Sequence, residues 1–190
     1  MGFRYEVRLA GSGGQGLILA SIILADAVGT CDDWYVAQTQ SYGPEARGGA
    51  SKAEVVISDE EIDFPKARKL DFLLVMNQKS CDEYYRDLKP DGFLLVDSTF
   101  VNRIPVPMAG QIPFTQVARE RLGRDFVANI IALGALTRVS GIVTQRAMET
   151  AIQAYVPPGS EMLNLQAFKT GLSLAKKIPR LIPPWKRRQS

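Results

Sequence analysis

The sequence contains no histidine. That absence excludes Ser-His-Asp and Cys-His nucleophilic machinery and removes the commonest metal ligand. Cysteine is nearly missing too: Cys31 and Cys81 stand far apart in the chain. Two thiols alone cannot ligate an iron–sulfur cluster or complete a structural zinc site. Both read as small buried hydrophobes, and so few cysteines suit a reducing cytoplasm. No apolar run reaches the roughly 18 residues that span a membrane, and Met1-Gly2-Phe3-Arg4-Tyr5 lacks the apolar centre of a signal peptide. The expected location is therefore the cytoplasm. Charge of one sign is also scarce, the net value being +3. Arg180, Lys186, Arg187 and Arg188, all near the end of the chain, account for it. So small and local an excess argues against nucleic acid or a membrane as partner.

What remains is an ordinary globular composition, 46% hydrophobic over 190 residues, enough for one α/β domain with a full core. Its centre is Gly11-Ser12-Gly13-Gly14-Gln15-Gly16. An apolar strand pattern over residues 4–10 leads into this loop, and an apolar helix pattern over 15–28 leaves it. Strand, glycine loop and helix in that order form an anion-binding geometry, because glycine lets a ligand approach the main chain and a helix N-terminus offers unpaired N–H groups. The alternative is a tight turn that only lets helix and sheet pack closely. The loop matches the dinucleotide fingerprint literally. That fingerprint also asks for an acidic residue at the end of the second strand, and here the strand ends in Gln38-Thr39-Gln40. The reading is a phosphate cradle without a ribose reader.

Strands are expected at 34–40, 51–58, 70–76 and 93–96, with a short proline-broken edge strand at 104–108. Helices are expected at 79–88, at 116–122 capped by Thr115, at 126–139 capped by Asp125, at 145–155 capped by Thr144 and at 161–177 starting at Ser160. Alternation followed by a helical run gives a three-layer α/β/α fold with a mainly parallel sheet and a helical C-terminal part. One domain covers 1–178, followed by a basic, proline-rich tail over 179–190, mobile or docked on a partner. The helices at 15–28 and 126–139 are apolar nearly all round, so each needs cover beyond the sheet, from this chain or another subunit. Four polar clusters fall at the carboxyl ends of strands, where such sheets bind ligands: 11–16, 41–49, Asn77-Gln78 and Asp97-Ser98.

The segment Ser41-Tyr42-Gly43-Pro44-Glu45-Ala46-Arg47-Gly48-Gly49-Ala50-Ser51, together with the glycine loop, Met76-Asn77-Gln78, Ala128-Asn129 and Leu133-Gly134-Ala135-Leu136, resembles the gamma subunit of 2-oxoacid:ferredoxin oxidoreductases. The resemblance covers roughly residues 4–175. It is nearer to the 2-oxoglutarate branch (2-oxoglutarate synthase) than to the pyruvate branch, with indolepyruvate and branched-chain 2-oxoacid enzymes as alternatives. It implies oxidative decarboxylation of a 2-oxoacid on thiamine diphosphate with Mg. Electrons pass singly through iron–sulfur clusters to ferredoxin, and the acyl group passes to coenzyme A. The chain has neither the Gly-Asp-Gly signature of thiamine diphosphate sites nor a cysteine set for a cluster. The resemblance therefore implies no cofactor and no catalytic residue on this chain. It implies a subunit inactive alone, working with alpha, beta and delta or ferredoxin-like subunits.

Within that frame the expected ligand or coenzyme A region comprises Gly11, Gly13, Gly14, Gln15, Gly16, Tyr42, Gly43, Pro44, Glu45, Arg47, Gly48, Gly49 and Asn77. Arg47 is the expected partner of a phosphate or carboxylate, since its planar fork pairs bidentately. Glu45 orients Arg47 or contacts a partner; the other reading is an ion pair that stabilises the loop. Competing functions are a stand-alone nucleotide-binding domain and a non-catalytic scaffold. An isolated chain with bare apolar helix faces is expected to pair as a homodimer.

Overall fold

Alternation starts the fold. In β1 (Arg4–Ser12), Tyr5, Val7 and Leu9 face one way and Glu6, Arg8 and Ala10 the other. The computed structural model describes residues 2–30, 34–42, 50–183 and 185, with the backbone alone at Tyr42 and Ala50. The glycine loop follows β1, then α1 (Leu17–Gly29), β2 (Tyr35–Tyr42), β3 (Ala50–Ser58), β4 (Leu70–Val75), α2 (Gln78–Tyr84), β5 (Leu88–Asp97) and β6 (Ala109–Ile112). The helical part is α3 (Phe114–Leu122), α4 (Ala128–Ser140), α5 (Gln145–Tyr155) and α6 (Glu161–Leu174).

One six-stranded sheet runs in the order β2-β3-β1-β4-β5-β6. The β1–β4, β4–β5 and β5–β6 pairings are parallel; β3 pairs antiparallel with both β1 and β2. Only β3 therefore runs against the rest, and the sheet is mainly parallel as expected. The chain leaves β1 towards β2 on one side and later adds β4 on the other. This makes the carboxyl ends of β1 and β4 a topological switch point, the place where such sheets open a crevice.

The sheet's two faces are covered unequally. Helices α1 and α3–α6 bury one face in a single apolar cluster. Every residue of α4 except Arg138 is buried, so this chain's own helices supply the cover that the all-apolar pattern demanded. Helix α4 packs on α6 at very close range. A Cβ at Gly134 would fall on the Phe168 carbonyl oxygen, and one at Gly171 on the Ile131 carbonyl oxygen. Among the described residues the opposite face carries α2 and two irregular segments, 59–69 and 98–108, the second of which packs Val101, Ile104 and Val106 on the sheet. Segment 59–69 is held largely by charge. Glu54 Oε2 accepts from the Ala67 amide at 3.1 Å, and Glu6 Oε2 accepts from the amides of Arg68 and Lys69 at 2.6 and 2.8 Å. Arg8, 3% exposed, donates from Nε to Glu54 at 2.8 Å and from Nη1 to Asp87, and stacks over the Tyr84 ring.

Several boundaries depart from the sequence reading. Ile104–Met108 is not a strand, because Pro105 and Pro107 remove ladder donors; the edge strand forms just after them, as β6. Thr115 does not cap α3, whose N-cap is Pro113; its hydroxyl donates to the buried Asp97 carboxylate at 2.6 Å. Asp125 does not cap α4 and pairs instead with Arg119 at 2.9 Å, an exposed contact that lowers its pKa. Thr144 caps α5 as expected, accepting from the Ala147 amide at 3.2 Å. The first part of the expected tail packs on its own chain. The Leu181 amide donates to the Val139 carbonyl at 2.8 Å, and Trp185 stacks among Phe3, Tyr5 and Trp34 at the opposite end of the sheet from the glycine loop.

Candidate functional site at the carboxyl rim of the sheet

Parallel register brings the strand ends level: Ala10 pairs with Val75, Val75 with Val96, and Val96 with Gln111. On the other side Ser12 pairs with Ala50, Gly11 with Ser51, and Ser51 with Tyr42. The chain therefore leaves β2 and returns into β3 directly beside the glycine loop. Gly43, Pro44, Glu45, Arg47, Gly48 and Gly49 lie outside the described residues, as does the side chain of Tyr42.

The glycine loop is fixed by side-chain amides from three places in the sequence. Gln15 folds back into its own loop, where Oε1 accepts from the Ser12 amide at 2.7 Å and Nε2 donates to the Met76 carbonyl at 3.3 Å. Asn77 donates from Nδ2 to Ser12 Oγ at 2.7 Å while its Oδ1 accepts from the Ser80 amide at 2.8 Å, capping α2. Asn129, 3% exposed at the start of α4, donates to the Gly16 carbonyl at 2.9 Å. Ser12 and Asn129 thus belong to the arrangement, although neither was among the expected site residues. Nothing in the spacing signalled Asn129, because helix packing alone brings it to the loop.

The glycines divide by what they do. Gly11 admits the Gln15 side chain: a Cβ there would collide with Gln15 Oε1 and lie 2.8 Å from Leu17 Cδ1. Gly14 and Gly16 hold φ of +89° and +69°, where other residues are strained, and a Cβ on Gly16 would lie 2.5 Å from Asn129 Nδ2. Gly13 is different. Its φ is not positive, it is exposed, and a Cβ would meet nothing within 4 Å. The fold itself gives no reason for glycine at that position.

Beside the loop a cavity of about 140 Å³ is lined by Gly14, Gln15, Met76, Phe100, Thr115, Asp125 and Ala128. No side chain caps the first turn of α1 among the described residues, so main-chain donors face this rim. Asp97 at the end of β5 is fully buried and committed to structure, accepting from the Thr115 amide and hydroxyl and from the Thr99 amide. Gln38 lies midway along β2, which runs on to Tyr42 past the expected end at Gln40, and donates to Ser21 Oγ on α1 at 2.9 Å. Cys81 is buried under the other face, and burial pushes its thiol pKa up to about 11; Cys31 lies outside the described residues. Among the described residues no three His, Cys, Asp or Glu side chains group to hold a metal ion, and no helix is long and apolar enough to cross a membrane.

The glycine loop at the switch point is thus held by three side-chain amides and borders a cavity. The sequence profile of the family described as pyruvate ferredoxin/flavodoxin oxidoreductase matches residues 6–174. The chain belongs to that family. As a gamma-type subunit of a 2-oxoacid:ferredoxin oxidoreductase, it is one part of a multi-subunit enzyme. It is 50% identical over 179 residues to the 2-oxoglutarate synthase subunit KorC of Methanocaldococcus jannaschii, covering 92% of this chain and 96% of that one. The gamma subunit of a keto/oxoacid ferredoxin oxidoreductase from Geobacter sulfurreducens superposes with a TM-score of 0.80 at 44% identity, covering 90% of this chain and 98% of that one. A 2-oxoglutarate:ferredoxin oxidoreductase chain of Magnetococcus marinus, determined with 2-oxoglutarate, coenzyme A and succinyl-CoA, shares the fold. Its TM-score is 0.81 at 22% identity, covering 96% of this gamma-type subunit and 34% of that chain.

Proposed function

We propose that this subunit serves a 2-oxoglutarate:ferredoxin oxidoreductase of the cytoplasm and lends its carboxyl rim to the place where coenzyme A or the 2-oxoacid is held. Alpha, beta and delta or ferredoxin-like chains are its companions. They carry thiamine diphosphate with Mg and the iron–sulfur clusters, which supply decarboxylation and single-electron transfer towards ferredoxin. This chain's own residues bind and orient. The uncapped first turn of α1 offers donors to a phosphate or carboxylate, and Gln15, Asn77 and Asn129 hold the loop that carries them. Arg47 is the expected bidentate partner of that phosphate or carboxylate.

Gly13 is the observation that carries this reading. It is exposed and unstrained, and it is glycine for no reason inside the chain; an approaching ligand or partner supplies one. The test is Gly13→Ala in the reassembled complex. The subunit should fold and assemble as before, with an unchanged melting temperature, while KM for coenzyme A or for 2-oxoglutarate rises about tenfold, roughly 1.4 kcal/mol. Unaltered kinetic constants in an intact complex would take the loop out of the site and leave a scaffold. Thiamine diphosphate and iron should co-purify with the companion chains and stay behind when this chain is purified alone.

A further inference from the structure

Strand register gathers a second polar cluster on the face of the sheet opposite the helices. In the pairing of β2 with β3, Thr39 lies opposite Glu54 and Ser41 opposite Lys52. Glu54 in turn pairs with Arg8 of β1, and Lys52 with Ala10. Paired positions share a face, and Ala10 packs with Cys81 and Tyr84 of α2. These side chains therefore stand on the side away from α1. With Gln40 and with Lys66 from segment 59–69 they line a cavity of about 180 Å³. It shares no residue with the cavity beside the glycine loop.

The charges that line this cavity are not balanced inside it. Glu54, 5% exposed, is committed elsewhere: Oε1 accepts from Arg8 at 2.8 Å and Oε2 from the Ala67 amide at 3.1 Å. Lys52 Nζ stops 3.9 Å from Glu54 Oε1, beyond hydrogen-bond reach, and stands over the Tyr84 ring at 5.4 Å from its centre. Among the described residues neither the Lys52 nor the Lys66 ammonium has a hydrogen-bond acceptor. Two cations thus meet one carboxylate that Arg8 already neutralises, and the cavity is left positive.

We propose that this cavity binds a phosphate group between the sheet and segment 59–69. Thr39 and Ser41 offer hydroxyls from β2, Lys52 an ammonium from β3 and Lys66 another from the segment, so donors come from three separate elements. Such a spread suits a tetrahedral oxyanion, which has acceptors on every side. A planar carboxylate is matched best by the flat fork of arginine, and among the described residues no guanidinium lines this cavity. Lysine serves phosphate as a point charge. Glu54 is the positioning residue: by accepting from the Ala67 amide it fixes the segment from which Lys66 reaches in. A phosphate held there would bridge β2, β3 and the irregular segment. The proposal stands apart from the role given above to the glycine loop.

Titration of the full chain with inorganic phosphate, followed through its amide resonances at constant ionic strength in chloride, tests the site. Resonances of residues 39–41, 52 and 66 should shift and saturate together, and phosphate should raise the melting temperature. Lys52→Gln and Lys66→Gln should each weaken phosphate binding about tenfold and leave the melting temperature of the phosphate-free chain unchanged. Lys69→Gln removes an equal charge from the same segment outside the cavity and should leave the affinity as it was. Glycerol 3-phosphate separates two sources of the group. Binding as tight as that of inorganic phosphate, with the same dependence on Lys52, supports a site for a phosphate ester; exclusion of the ester while phosphate binds supports a site for the free ion. No saturable shift at residues 39–41, or an equal loss of affinity in Lys69→Gln, would overturn the proposal. Shifts confined to residues 12–17 would overturn it too, and would report the glycine loop instead.

Discussion

The two faces of the sheet solve the same problem with different materials. One is closed by five helices through apolar area, down to the glycine contacts between α4 and α6. The other is closed by one short helix and by segments without regular structure; Arg4, Glu6 and Glu54 tie down 59–69, and Val101, Ile104 and Val106 pack from the segment after β5. Apolar closure tolerates substitutions of similar volume. Ionic closure in a buried place is all-or-nothing, because losing one partner leaves the other charged and dry.

That difference is sharpest at Arg8. Arg8→Met should destabilise the chain by about 3–5 kcal/mol, because Glu54, 5% exposed, loses its closest cation. The double variant Arg8→Met, Glu54→Leu should recover most of that loss, read as the urea midpoint. Recovery of none would mean that the bond from the Ala67 amide to Glu54, not the pair's charge balance, holds that face. On the helical face the expected effect is smaller. Gly134→Ala should cost about 1–3 kcal/mol, because α4 and α6 can separate slightly to admit a methyl group. A silent Gly134→Ala would show that the helix crossing is looser than the carbonyl contacts imply.

The smallest effect concerns pH and sits again on the ionic face. Asp71 accepts from the Glu6 amide at 2.8 Å and from Lys89 Nζ at 2.7 Å. Burial nonetheless raises its pKa above the ordinary 3.8, outweighing Lys89. A carboxyl with a raised folded pKa favours the fold when protonated. Its contribution is complete below 3.8 and is lost as pH rises through the higher folded value. Asp71→Asn should therefore flatten the pH dependence of stability just above pH 3.8, measured by thermal unfolding across that range. An unchanged profile would assign the dependence to other groups.

The helical face was largely legible in the sequence. The all-apolar patterns around Leu24 and Leu133 announced buried helices, and both helices formed within a few residues of where expected. Caps were less legible. Thr115 and Asp125 have capping chemistry, but each found a stronger partner elsewhere, in Asp97 and Arg119. The ionic face could not be read, since Glu6 with Arg68, or Arg8 with Asp87, join positions with no shared period. At the candidate site the glycine loop and Asn77 were found by sequence and do meet. The Gln15 side chain accepts from its own loop at the Ser12 amide, and Asn129, present in the sequence only as part of the resemblance, is brought to the loop by packing.

Sequence alone determined the class of the chain. The absence of histidine and the scarcity of cysteine exclude machinery built on those two residues, and a glycine loop between strand and helix marks the candidate site. Those are statements about residue types and local spacing, which the linear order contains. Tertiary structure decided which glycines the fold needs and which it leaves over, and which carboxylates hold backbone. Each of these depends on what lies within a few ångströms of an atom, and such neighbours come from segments that only packing brings together.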